Sequence, residues 1–166
     1  MIKHYYESPL GGIVAASDGE ALTELRFCDE DVDFPNGNLP VFAETDRWLD
    51  IYFGGEKPDF TPPLKTRSTD FEKSVWDILR TIPYGQTMTY GEIAAIIARR
   101  RGIKHMSAQA VGGAAHRNPI ALIIPCHRVI GAGGNLTGYA AGLARKIKLL
   151  EVEGVDISGM FSPRSK

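Results

Sequence analysis

Cysteine and histidine adjoin at Cys126-His127, between the apolar residues Ile123-Ile124-Pro125 and, one arginine later, Val129-Ile130. A thiolate is a strong nucleophile, and a neighbouring imidazole titrates close enough to neutral pH to take the thiol proton. Such a pair is suited to group transfer onto sulfur or to acyl transfer and hydrolysis. Taken alone, Cys126 reads more readily as a packing residue, because free cysteine is among the most buried residue types. The neighbouring histidine and the glycine-rich loop that follows, Gly131-Ala132-Gly133-Gly134-Asn135, favour a reactive nucleophile shielded from bulk water. The rest of the chain must then deliver a substrate to it.

A chain of 166 residues is long enough for one domain or two small ones. Charge is divided unevenly. Residues 1–69 carry 6 Lys+Arg against 13 Asp+Glu, and residues 70–166 carry 13 against 7. The split suggests two units with different tasks, the basic one being able to meet a polyanion. A solvated charged surface with no partner accounts for the same numbers. No apolar run reaches the length of a membrane span, and the start lacks the apolar stretch of a secretion signal. Two cysteines, Cys28 and Cys126, do not indicate a disulfide framework, so a reducing cytoplasm is the expected location. His4, Cys28, His105 and His116 show no metal-ligand spacing, and no metal is expected.

The elements follow from periodicity and punctuation. Residues 2–7, 12–17 and 21–27 read as strands of an antiparallel meander, with turns at Pro9-Leu10-Gly11-Gly12 and Ser17-Asp18-Gly19. Residues 41–53 have helical spacing and stop at Gly54-Gly55. Residues 56–68, with Pro58, Pro62 and Pro63, read as a linker. A helix starts after Thr69 with the stripe Phe71, Val75, Ile78/Leu79 and Ile82. A second starts near Thr89 and ends at Arg99-Arg100-Arg101-Gly102, and a third starts at Ser107. The last two resemble a helix-turn-helix. The final helix is expected over about 140–152, with Leu143, Ile147 and Leu150 facing the core and Gly154 as its stop.

The third helix, Ala108-Gln109-Ala110-Val111-Gly112-Gly113-Ala114-Ala115, has almost no side-chain bulk. Two interior glycines cost roughly 1 kcal/mol each relative to alanine, so something must approach this backbone closely. A neighbouring element and a nucleic-acid groove are both candidates, and Arg99, Arg100, Arg101, Lys104 and Arg117 lie nearby in sequence. Glu151 and Glu153 stand near the C-terminal end of the last helix, where the dipole disfavours a carboxylate, so a specific partner is expected for one of them.

The pentapeptide Pro125-Cys126-His127-Arg128-Val129 resembles the active-site signature of the O6-alkylguanine-DNA alkyltransferases, the methylated-DNA–protein-cysteine methyltransferases. Thr89-Tyr90-Gly91-Glu92-Ile93-Ala94, Ala110-Val111-Gly112-Gly113-Ala114, Asn118-Pro119-Ile120, Gly138-Tyr139 and Lys146 to Gly154 follow in the family's order. The likeness is strong over about 70–156 and weaker before 65. It implies an α+β protein with a small N-terminal α/β scaffold domain at 1–65 built on an antiparallel sheet. A mainly helical domain with a winged helix-turn-helix would follow at 69–157, then a tail at 158–166.

The resemblance also implies a reaction. Double-stranded DNA bearing O6-alkylguanine would bind, the damaged base would flip out, and its alkyl group would pass irreversibly to Cys126, once per molecule and without cofactor. O4-alkylthymine is an expected second substrate, and the protein is expected to act as a monomer. By similarity, His127 takes the Cys126 proton through a bridging water, Glu153 orients His127, and Asn118 braces the turn that presents the cysteine. Tyr90 supplies a hydroxyl near the base, the main chain at Cys126 and Val129 reads the base edge, and the loop at Tyr139 and Ala140 closes over it. Ser107, Ala108, Gln109, Ala110 and Gly112 face the DNA minor groove.

This chain departs from the family pattern in three places. Gln109 stands where many members have an arginine. Ala140 stands where some have a serine. The segment from Ile97 to Met106 is longer than in many members and carries four cations. Two other function classes compete: a non-reactive DNA-binding protein, which the presence of Cys126 disfavours, and a cysteine hydrolase, which the apolar flank disfavours for want of an exposed nucleophile and oxyanion site.

Overall fold

The computed structural model describes residues 1–162. The described chain divides into two compact units, one of 1–67 together with 119–123, the other of 68–118 together with 124–162. The tail expected at 158–166 lies outside the described residues from 163 on.

In the first unit the short apolar-rich runs pair as a meander: β1 (Ile2–Ser8), β2 (Gly11–Ser17) and β3 (Leu22–Cys28), antiparallel in the order β1-β2-β3. The central strand β2 is buried along nearly its whole length, as its run Ile13-Val14-Ala15-Ala16 requires. Helix α1 (Pro40–Phe53) starts with proline in its first turn, where no N–H is needed. It buries Val41, Phe42, Thr45, Trp48, Leu49 and Tyr52, one face of a 3.6-residue repeat. The Thr45 hydroxyl is satisfied by the Val41 carbonyl at 2.7 Å.

The free edge of β3 is covered by two further segments. Leu22 donates to the Pro63 carbonyl and accepts from Lys65, and Leu25 donates to Pro119 and accepts from Ala121. Residues 56–68 are therefore more than a linker: Leu64 pairs beside Leu22, and Ile120 pairs beside Leu25. Prolines suit such positions because the edge uses their carbonyls and not their missing N–H groups.

The second unit is helical, with α2 (Asp70–Leu79), α3 (Tyr90–Arg101), α4 (Ala108–His116) and α5 (Leu143–Val152). Two-residue strands β4 (Met88–Thr89) and β5 (Val129–Ile130), which the sequence pattern did not reveal, pair in parallel. Helices α2, α3 and α4 pack on one another, and the indole N–H of Trp76 is spent on the Ala114 carbonyl at 2.9 Å. Side chains cap three of these helices: Thr69 and Thr89 each form a capping box with the glutamate three residues on, and Ser107 caps α4. Gly102 ends α3 with φ of 67°, a left-handed conformation that costs glycine little.

Helix α5 differs from expectation at its start and its buried face. It begins at Leu143, because Gly142 has φ of 100° and residues 139–142 form a turn closed by Gly142 N–H to the Tyr139 carbonyl. Its buried residues are Lys146, Leu149 and Leu150, while Leu143 and Ile147 are only half-buried. A charged side chain thus takes one of the three fully buried positions on the helix.

Tyr90 is the first residue of α3, so the Thr89–Glu92 box fixes where that side chain departs from the backbone. Replacing Thr89 with alanine should cost about 0.5–2 kcal/mol in urea unfolding, and serine should restore most of it. An unchanged unfolding midpoint for the alanine variant would contradict this role.

Candidate active site

Pro125, with ψ of 67°, turns the chain into a 3-10 turn over Cys126–Arg128. The turn sends consecutive side chains to different places. Cys126 keeps partial exposure, whereas His127 is fully buried and Arg128 nearly so. Asn118, just past the end of α4, grips the turn. Its amide donates to the Ile124 carbonyl at 2.7 Å and to the Cys126 sulfur at 3.3 Å. Burial raises the thiol pKa, and the Asn118 N–H and the Lys146 charge pull it back in part. The sulfur therefore rests as a thiol and needs a proton acceptor to react.

The buried carboxylate of Glu153 gathers the groups behind the turn. It takes His127 Nε2 at 2.5 Å, Arg128 Nε at 2.8 Å and Nη2 at 3.2 Å, and the Gly85 N–H at 2.9 Å. Arg128 also donates to the Ile82 carbonyl at 2.8 Å. Burial alone would raise the Glu153 pKa, but the His127 and Arg128 bonds overcome it and hold the carboxyl at about 2. His127 goes the other way: burial lowers its pKa against the pull of Glu153. A neutral imidazole facing a carboxylate, which can only accept, must carry its proton on Nε2. The Nδ1 lone pair is then the basic site of the ring.

Lys146 is the second buried charge. Its ammonium donates to the Val129 carbonyl at 2.6 Å and to Thr137 Oγ1 and the Gly138 carbonyl at 3.3 Å each. Burial lowers its pKa to about 8, opposed by Cys126.

A pocket of about 170 Å³ opens beside the sulfur. Cys126, Tyr90 and Gly112 line it, with Tyr139 and Ala140 from the loop before α5 and Ala115, His116 and Gly138 completing the wall. The ring of Tyr90 passes 3.7 Å from the place a Cβ on Gly112 would take, so part of the missing bulk in α4 serves a contact inside this unit. The Tyr90 hydroxyl lies 3.3 Å from Thr137 Oγ1. Tyr139 turns its ring edge toward His127, and its buried phenol oxygen has no hydrogen-bond partner among the described residues. Burial raises both phenol pKa values, so both hydroxyls keep their protons.

Most of the residues singled out by sequence therefore lie around one turn and one pocket. Ser107, Gln109 and Ala110 line an adjoining open groove with Phe71, Gly113 and Arg117; Ala108 is exposed beside them. Val129 stands apart: it is fully buried, its N–H donates to the Cys126 carbonyl, and its own carbonyl holds Lys146. Sequence reasoning missed Arg128, Gly85, Thr137 and Lys146 as parts of the site. A cation amid apolar neighbours, as at Arg128 and on the Leu149-Leu150 side of α5, was the available signal.

Residues 70–155 match the DNA binding domain of 6-O-methylguanine DNA methyltransferase, and residues 1–66 match the ribonuclease-like domain of the same family. The chain belongs to the 6-O-methylguanine DNA methyltransferase family. A methylated-DNA–protein-cysteine methyltransferase of Methanosarcina acetivorans is 47% identical over 154 residues, covering 90% of this chain and 96% of the relative. One of Mycobacterium leprae is 46% identical, covering 89% and 88%. Among solved structures, Mycobacterium tuberculosis OGT in complex with DNA superposes with a TM-score of 0.79 at 43% identity over 92% of each chain. Both family regions are thus present in sequence, and the mixed α+β architecture is that of its solved relatives.

Glu153 stabilises the fold while it is ionised. Because its folded pKa is depressed from 4.5 to about 2, its contribution is present above about pH 4.5 and is lost as pH falls toward 2. Glu153→Gln leaves the Arg128 guanidinium buried and unpaired, and should cost about 3–5 kcal/mol at neutral pH. The variant should also lose the steep part of the stability decline between pH 4.5 and 2. Unfolding curves that match the wild type at both pH values would refute this assignment.

Proposed function

We propose that this protein repairs DNA by flipping O6-alkylguanine out of the duplex and transferring the alkyl group to Cys126, irreversibly and once per molecule. The observation that carries the reading is a partly exposed cysteine lining a pocket with two tyrosines, backed by a buried imidazole–carboxylate pair. The thiol proton leaves toward His127 through a bridging water, and Glu153 steadies the resulting imidazolium. Sulfur attacks the alkyl carbon, a C–S bond forms, and the C–O6 bond breaks with its electron pair passing to guanine. Guanine ends with a proton in place of the alkyl group, and the protein ends with a thioether. Water does not readily cleave that bond, so the cysteine is not regenerated. No cofactor enters this scheme. O4-alkylthymine offers the same alkyl–oxygen–ring arrangement and is included in the proposal.

The target atom lies inside the duplex, and extrusion of its nucleotide costs a few kcal/mol. The exposed N-terminal half of α4, Ser107 to Ala110, has the low profile needed in a minor groove. Gln109 would stand in the space left by the base and hydrogen-bond to its former partner without adding charge. Arg99, Arg100, Arg101 and Lys104 are all exposed around the end of α3, with Arg101 lying over the Phe71 ring. They would supply phosphate contacts. A single chain suffices for the whole reaction, and both cysteines are free thiols, as a reducing cytoplasm would keep them.

Incubation with a duplex containing O6-methylguanine should add one methyl, about 14 Da, at Cys126; Cys126→Ser should remain unmodified. Absence of the adduct in the wild-type protein, or release of many equivalents of product per chain, would refute the scheme. Replacing Arg99, Arg100, Arg101 and Lys104 together with alanine should weaken duplex binding. It should also flatten the dependence of log K on log salt by about 1 for each cation that meets a phosphate. An unchanged slope would remove these residues from the interface.

A further inference from the structure

The Tyr90 hydroxyl does not reach into the pocket from a bare wall. It stands at the end of a line of hydrogen-bonding groups that begins at the buried ammonium of Lys146 and passes through Thr137. Lys146 Nζ lies 3.3 Å from Thr137 Oγ1, and Thr137 Oγ1 lies 3.3 Å from the Tyr90 oxygen. Thr137 holds this place in an unusual backbone conformation. Its φ is 59°, one of two positive values among the described non-glycine residues, and β-branching makes that conformation costly. The strain is held by its neighbours: the Thr137 N–H donates to the Asn135 side chain at 3.0 Å, and its hydroxyl donates to the Leu136 carbonyl at 2.6 Å.

Hydrogen counting assigns the resting state. A threonine hydroxyl has one proton and two lone pairs. With the proton on the Leu136 carbonyl, Thr137 accepts from Lys146 and from Tyr90, so the Tyr90 proton points away from the pocket. A hydroxyl rotation reverses this. If Thr137 turns its proton to the Tyr90 oxygen, Lys146 donates to Thr137, Thr137 to Tyr90, and Tyr90 into the pocket. A chain of donors that starts on a cation polarises each member toward stronger donation, and the effect is larger where water is excluded.

We propose that Thr137 is a positioning residue for alkyl transfer, a hydroxyl switch that couples the Lys146 ammonium to Tyr90 and turns the Tyr90 O–H onto the departing base. The proposal rests on the reaction described above. As the C–O6 bond breaks, the electron pair moves onto guanine, and the Tyr90 hydrogen bond stabilises that growing charge. Thr137 touches neither substrate nor sulfur. Its effect passes entirely through Tyr90, and at rest it stores the Tyr90 proton away from the thiol. The 3.3 Å spacings suit a contact that tightens only when the base is in place.

The test separates a positioning role from a structural one. Thr137→Gly removes the hydroxyl but relieves the positive φ, so the variant should be at least as stable as the wild type in urea. Its single-turnover transfer rate from O6-methylguanine duplex should nevertheless fall about 10- to 100-fold, with duplex affinity unchanged. Thr137→Ser keeps the hydroxyl and should stay within about 3-fold of the wild type. Tyr90→Phe should slow transfer similarly, and adding Thr137→Gly to it should produce no further loss. A glycine variant as fast as the wild type overturns the proposal, as do losses that multiply in the double variant. If the wild-type protein forms no adduct at Cys126, the underlying reaction fails and this proposal falls with it. Adduct formation together with a fast glycine variant removes only the switch.

Discussion

A single buried carboxylate holds the active-site turn together. Glu153 accepts from His127, from Arg128 and from the Gly85 N–H, and it lies at the end of α5. Those partners come from the loop after α2 and from the 3-10 turn. None could stay buried without the others. An unpaired arginine or glutamate at this depth would be strongly destabilising, and a buried histidine gains a defined tautomer only from its partner. The position at a helix C-terminus, unfavourable for a carboxylate by itself, is offset by the cation and the N–H it meets.

That cluster sets the chemistry by dividing labour between two sides of one short turn. Inward, His127 and Arg128 are locked to Glu153. Outward, Cys126 keeps enough exposure to meet a ligand while burial keeps it a thiol at rest. Asn118 fixes the turn from the other end by bonding both the Ile124 carbonyl and the sulfur. A thiol kept protonated by burial is poised to react only when a base takes its proton.

Around the pocket, the second buried charge works differently. Among the described residues Lys146 has no carboxylate acceptor; its ammonium donates to two carbonyls and the Thr137 hydroxyl. Burial lowers its pKa to about 8, and neutral acceptors offset that less than a carboxylate would. The lysine ties together β5, the pocket loop and α5, so the loop carrying Tyr139 and Ala140 is anchored by a charge and not by packing alone.

Sequence by itself determined the order of the longer elements, the helix starts at Thr69, Thr89 and Ser107, and the run that carries Cys126. Each is a local property: a strand or helix repeat, a capping residue, or a run such as Pro125-Cys126-His127-Arg128-Val129. It also marked Glu153 as misplaced, because helix polarity can be read from one segment. What it left open was decided by residues far apart in the chain. Leu64 and Ile120 cover the edge of β3, and Met88 pairs with Val129, through hydrogen bonds that leave no periodic trace. The burial of Arg128 and Lys146 was decided by the fold, since burial depends on what packs from outside the segment. Likewise the left-handed Thr137 is only a threonine in sequence. Its meeting with Tyr90, 47 positions away, arises where the helix-turn-helix and the loop before α5 come together.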